Sequence, residues 1–158
     1  MTAGTEEPKV AILGLECELF AGPGGSALTD LMEEEHLVKL ARGVDFSLTS
    51  ALADVTTRGS TYRLQKRALK EASLSLELLY LPGDPVFELL FKSYDDGDVI
   101  SVFSSDGQGN GLLFEGSVTE FSQPQPLEDA VLVNATIVPT FSTVRYPKWI
   151  TDGKEPTA

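Results

Sequence analysis

The stretch ALKEASLSLELLYLPGDPVFELLFKSYDDGD, residues 68–98, constrains the fold more than any other part of this chain. Leu74, Leu76, Leu78 and Tyr80 alternate with Ser73, Ser75 and Glu77, the period-two pattern of a strand with one covered face. Pro82-Gly83 ends that strand. Asp84 is then a natural N-cap, and Pro85 suits a first helical position because its missing N–H has no partner there anyway. Phe87, Leu90, Phe91 and Tyr94 follow at i, i+3, i+4 and i+7, an apolar stripe for docking on a sheet. Asp95-Asp96-Gly97-Asp98 stops the helix. No other segment has a comparable helical period. The chain therefore reads as mainly β, a β-sandwich or partly closed barrel, with one short flanking α-helix near 84–94.

The remaining strands are placed by alternation and by turn residues. Residues 1–8 read as a flexible N-terminal arm bounded by Pro8, and 9–20 as a strand. Residues 21–30, AGPGGSALTD, read as a turn-rich surface loop. HLVKLARGV is ambiguous between a short strand and a helical turn. In VDFSLT, Val44, Phe46 and Leu48 are expected to face the core, with Asp45, Ser47 and Thr49 opposite. Residues 50–70 read as a strand end plus a loop. Val99 to Ser104 leads through the glycine-rich Ser105–Gly111 hairpin loop into a strand at 112–122. There Phe114 and Val118 face one way, and Glu115, Ser117 and Thr119 the other. After a proline-broken loop, Val131, Val133, Ala135 and Ile137 point to the core, while Asn134 and Thr136 point out. The expected organisation is one β domain over 9–141 and a C-terminal arm over 142–158, docked through Tyr146, Trp149 and Ile150.

Reactive chemistry is sparse. His36 is the only histidine and Cys17 the only cysteine, so neither a multi-histidine metal site nor a disulfide framework is available. Cys17 lies in the alternating run VAILGLECELF, where a buried, inert thiol is the expectation. The chain lacks a serine elbow, a Walker loop and a Rossmann glycine pattern in its required context. The Asp95–Asp98 cluster lacks the spacing of an EF-hand. The expectation is a non-enzyme with no cofactor and no metal. No apolar run approaches the roughly 20 residues needed to span a bilayer as a helix, and no membrane association is expected.

Charge carries more information. The net charge of −12 argues against a sequence-reading nucleic-acid binder, which needs cations for phosphates. The distribution is uneven, because residues 58–70 carry Arg58, Arg63, Lys66, Arg67 and Lys70 and no acid. Such a segment can pair with an acidic surface of its own fold or of a neighbouring subunit. The polar strand faces are rich in Ser, Thr and Asn, carry Glu77 and Glu115, and contain no lysine. A face of that kind suits a surface past which a polyanion moves without sticking.

Several segments, taken in order, resemble one family. They are Gly14-Leu15-Glu16-Cys17-Glu18-Leu19-Phe20, then Asp54-Val55-Thr56-Thr57-Arg58-Gly59-Ser60 with Tyr62-Arg63. Leu69-Lys70-Glu71-Ala72-Ser73 and Asp84-Pro85-Val86-Phe87-Glu88 follow. The last are Phe114-Glu115-Gly116-Ser117-Val118-Thr119-Glu120-Phe121, the loop Pro126-Leu127-Glu128-Asp129-Ala130, and a final strand ending in Pro139-Thr140. Over residues 10–141 the chain resembles the tail tube (major tail) proteins of long-tailed bacteriophages.

The resemblance implies a tail-tube-like fold in a structural virion tail protein made in the host cytoplasm. It implies homo-hexameric rings, stacked into a hollow tube that conducts DNA into the host without sequence-specific binding. The implied partners are further copies of the chain, the tail terminator, the baseplate or tip, and the tape-measure protein. Ser75, Glu77, Glu115, Ser117 and Thr119 are candidates for the lumen face, and Arg58, Arg63, Lys66 and Arg67 for contacts between subunits. The same fold builds the tubes of contractile injection systems, which is one alternative. A small β-barrel that binds a ligand or partner is the other.

Overall fold

The computed structural model describes residues 11–140 and 146–154. Seven strands form one antiparallel sheet: β1 (Glu18–Pro23), β2 (Ala41–Asp54), β3 (Gln65–Leu79), β4 (Ile100–Ser105), β5 (Gly111–Ser122), β6 (Leu132–Pro139) and β7 (Lys148–Ile150). The order is β1-β4-β5-β6-β3-β2, with β7 pairing along the first residues of β5. A one-turn helix α1 (Leu28–Leu31) follows β1, and the longer α2 (Pro85–Asp96) joins β3 to β4. The expected mainly β fold with one substantial helix is what the chain adopts, as a single sheet curled into a half-barrel. Register shifts in β2, β3 and β5 are bulges of the kind that bend strands into such a curve.

The sheet has a core on each face. On one, Leu74, Leu76 and Leu78 of β3 meet Val133, Ala135 and Ile137 of β6, Phe114 and Val118 of β5, and Val86 and Leu90 of α2. Burying each such leucine contributes about 1.5–3 kcal/mol. On the other face Phe20, Phe103, Leu113 and Ile150 pack beneath Leu28 and Leu31 of α1. Alternation within β1 divides Leu19 and Ala21 from Phe20, one set to each core.

The local signals for α2 are realised. The Asp84 carboxylate accepts the Val86 N–H at 3.3 Å, Pro85 opens the helix, and Gly97 closes it at φ +74° with its N–H on the Ser93 carbonyl. Its deeply buried residues are Val86, Leu90 and Ser93. Phe91 and Tyr94, expected beneath the helix, are 46% and 50% exposed. They lean instead against Phe121 of β5, at ring separations of 5.6 and 6.3 Å. The buried stripe is thus rotated about the helix axis from the aromatic one.

Three other expectations are corrected. The first strand begins at Glu18 and runs through Gly22 and Pro23, so the segment read as a loop from residue 21 starts inside it. A 3-10 turn at Gly14–Glu16 precedes it and carries Cys17 to the surface, exposed, with its thiol near the Leu13 carbonyl at 3.8 Å. The apolar alternation there belongs to a chain that has not yet entered the sheet. Finally, Val44 and Leu48 are 39% and 56% exposed, and only Phe46 packs on the core. β3 reaches β6 only from Leu74 onward, so the outer halves of β2 and β3 form a two-stranded arm whose apolar side is uncovered among the described residues.

Of the expected arms, residues 1–10, 141–145 and 155–158 lie outside the described residues. Ile150 is fully buried in the second core, whereas Tyr146 and Trp149 are 67% and 55% exposed.

Candidate functional site

Directly opposed residues in antiparallel strands point to the same face. The register therefore assembles a polar surface strand by strand. Asp45 faces Ser75, Ser47 faces Ser73 and Thr49 faces Glu71 between β2 and β3. Ser75 and Glu77 then face Thr136 and Asn134 of β6, which in turn face Glu120 and Ser122 of β5. Four strands thus present one continuous surface of hydroxyls, amide and carboxylates, with no Lys or Arg at any of these positions. Asp45, Glu71 and Glu120 are exposed, and Glu77 is half-buried.

Of the sequence-derived lumen candidates, Ser75 and Glu77 lie within this surface. Ser117 and Thr119 lie at its margin. The Ser117 hydroxyl donates to the Asp98 carbonyl at 3.2 Å, and Thr119, at the β5 bulge, donates to the Thr136 carbonyl at 3.4 Å. Glu115 is different. It is 3% exposed, accepting the Ser101 hydroxyl at 3.0 Å and the Gly25 N–H at 2.8 Å. It shares the polar side of β5, but α1 and its flanking turn cover that end of the sheet. A carboxylate enclosed this way ties the β1–α1 turn to β5 and is not part of the open polar surface. Sequence reading had left Glu71, Glu120 and Ser122 out of the candidate set. Each sits on the polar parity of its strand, but only the pairing shows that they join one surface.

The second surface is the β2–β3 arm. Its tip, residues 55–64, is held by a local network. Val55 N–H donates to the Leu64 carbonyl, Leu64 N–H to the Thr56 hydroxyl at 2.8 Å, and the Ser60 hydroxyl to the Tyr62 carbonyl at 2.7 Å. The Thr56 hydroxyl and, after it, the Thr56 N–H hold the Asp54 carboxyl below its usual pKa. All four inter-subunit candidates are exposed on this arm: Arg58 in the tip, Arg63 at its exit, Lys66 and Arg67 on β3. Arg63 approaches Asp54 only to 3.9 Å, with both side chains mostly in solvent, so the pair contributes little. Tyr62 and Leu69, 78% and 82% exposed, stand among these cations. The free edge of β2 pairs with no strand among the described residues.

Among the described residues no cluster of His, Cys, Asp and Glu has a metal-binding arrangement. His36 lies 3.5 Å from Glu35 and crowds Gly22, where an added Cβ would sit 3.1 Å from its Nδ1. Cys17 belongs to the turn before β1. No hydrogen bond joins the two among the described residues. A groove of about 810 Å³ runs between the edges of β1 and β2, lined by Leu19, Val38, Val44 and Phe46 among others.

A half-barrel of this topology has solved counterparts. A chain in the virion of a native gene transfer agent particle superposes with a TM-score of 0.68 at 14% identity, over 88% of this chain and 98% of that one. The chain has the tail-tube fold. A chain from the tail of an empty gene transfer agent particle, refined with C6 symmetry, gives 0.65 at 14% identity, over 84% of this chain and 96% of that one. The SPP1 tail tube gives 0.66 at 12% identity, covering 81% of this chain and 75% of that one. No family model and no curated protein matches the sequence. The likeness lies in the tail-tube backbone, at 12–14% sequence identity.

Proposed function

We propose that this chain is the structural subunit of a virion tail tube. It assembles as homo-hexameric rings stacked into a hollow conduit through which DNA passes without sequence-specific binding. The observation that carries the reading is the cation-free polar face spanning β2, β3, β6 and β5, presented by a subunit whose β2 edge is left open. An open edge is an aggregation hazard in a monomer and a joint in a ring. If neighbouring sheets join there, polar faces from successive subunits line one bore. Carboxylates and hydroxyls on that wall repel or ignore phosphates, so the polyanion slides rather than binds. Six subunits per ring is the number that the C6 symmetry of the gene transfer agent tail supports.

In this role the chain works by shape and needs no catalytic residue, metal or cofactor. It would be made in the host cytoplasm and end in the virion tail. Its partners would be its own copies, the tape-measure protein within the bore, and the terminator and baseplate or tip at the two ends. The exposed cations Arg58, Arg63, Lys66 and Arg67 are assigned to contacts between subunits. Negative-stain microscopy of the purified protein tests the reading directly. Hollow tubes or rings of uniform diameter are expected, and a monodisperse monomer at high concentration would sink it.

A further inference from the structure

The molecule has a basic end and an acidic end, and β3 holds them apart. Residues 50–70 carry five cations against one carboxylate, Asp54. At the other end of β3 the 80–84 turn and the 123–131 loop leave the sheet together, joined by Tyr80 N–H donating to the Val131 carbonyl at 3.0 Å. That end presents Asp84, Glu88, Glu128 and Asp129 and no Lys or Arg. β3 is 15 residues long, which at about 3.3 Å per residue separates the two ends by about 45 Å. A chain's own arm cannot fold back onto its own acidic end. Only a second copy can bring them together.

We infer that subunits in successive rings join head to tail, with the basic arm tip of one copy seated on the acidic 123–131 end of the next. This rests on the tube reading and names the receiving surface for the arm. The contact has an apolar centre available on both sides. Leu127 is 100% exposed beside Glu128 and Asp129, and Tyr62 and Leu69 stand among the arm cations. An apolar centre with a charged rim is the usual anatomy of a specific interface. The hydrogen bonds of the 55–64 tip fix its shape in advance, which lowers the ordering cost of docking. Of the other acidic runs, Glu33–Glu35 has Lys39 3.1 Å from Glu34 and His36 3.5 Å from Glu35, and Asp95–Asp98 has Lys92 3.9 Å from Asp98, whereas the 123–131 end has no cation in its sequence. Two different patches meeting heterologously propagate the assembly along an axis.

Charge exchange tests the inference. E128K/D129K and R63E/R67E would be made separately and then combined on one chain, with folding of each checked by circular dichroism. Assembly would be followed by sedimentation and negative stain at low and high salt, since raising ionic strength from 0.1 to 1 M shortens the screening length from about 10 to about 3 Å. Each reversal should raise the concentration needed for tubes about tenfold or more, and the combined chain should recover most of that loss. E128Q/D129N should shift it in the same direction by less, which covers a lysine variant that fails to fold. If wild type forms tubes and E128K/D129K and E128Q/D129N form them equally well, or the combined chain is no better than either reversal, the inference falls and the tube reading stands. If wild type never associates at any salt, both fall.

Discussion

At the scale of single residues, Glu115 and Asp106 show what carboxylates do when they are not part of an open surface. Replacing Glu115 with alanine removes the acceptor of the buried Ser101 hydroxyl and frees the Gly25 N–H of the exposed turn that Glu115 ties to β5. The expected loss is about 1–3 kcal/mol, read as a lowered thermal midpoint of the unassembled subunit. A midpoint equal to wild type would show that the site is wet rather than sealed. Asp106 organises the β4–β5 hairpin. Partial burial pulls its carboxyl pKa up, but hydrogen bonds from Gln108 N–H, the Asn110 side-chain amide and Asn110 N–H outweigh that and leave it lowered. A folded-state pKa below the unfolded value of about 3.9 adds stability above that pH and loses it as pH falls through the folded value. Wild type should therefore exceed Asp106→Asn in stability at pH 7, with the gap closing at acid pH. Unfolding midpoints compared at pH 7 and below 3 check the sign, and a gap that widens on acidification contradicts it.

At the scale of elements, legibility depended on whether a signal is local. Asp84, Pro85 and Gly97 act within one helical turn, so the helix and both its ends were readable from the chain. Asp84→Ala should cost about 1 kcal/mol, the usual worth of an N-cap, measured by denaturant midpoint. Alternation is also local, and it identified the polar and apolar sides of β3, β5 and β6. What alternation cannot carry is whether the chain itself supplies a cover. Val44 and Leu48 alternate as well as Leu74 and Leu76 do, yet Leu48 pairs with Ala72 beyond the reach of β6, and Val44, opposite Leu76, lies on the edge strand, so both stay exposed among the described residues. Glu115 and Ser75 share a polar pattern, yet only Glu115 lies beneath α1. Cys17 sits in an alternating run that lies before the sheet. In each case the missing information is a pairing distant in sequence. The arm itself tests the division of labour. Replacing residues 55–64 with a two-residue Asn-Gly turn should leave the core and its unfolding intact, because β3 from Leu74 onward and every α2 contact remain. Tubes should be lost. Normal tubes from that variant would remove the arm from any role in assembly.

At the scale of the whole molecule, the −12 charge is not spread evenly but sorted by surface. Five of the twelve cations lie on the arm, and no Lys or Arg occupies the paired polar positions of the four strands, with Lys70 at the margin beside Ser47, Thr49, Glu71 and Ser73. Sorting of this kind does nothing for a monomer's stability, since exposed like charges on one face repel. It matters when copies meet and when a polyanion is near. Lining a bore with lysine should convert a slide into a trap, because each phosphate neutralised releases condensed counterions and adds salt-dependent affinity. Glu71 and Glu77 lie six residues apart on the same side of β3, opposite Thr49 and Gly43. E71K/E77K should therefore still form tubes, since neither residue is on the arm tip or the 123–131 end. Those tubes should retain short single- or double-stranded DNA at low salt and release it as salt rises, whereas wild-type tubes should retain none. Co-sedimentation of labelled DNA with assembled tubes reads this out, with D95K/D96K, at the exposed end of α2 on the opposite side of the sheet, as the control for lysines placed elsewhere. DNA retention by wild type equal to that of E71K/E77K would mean that this face does not line the passage.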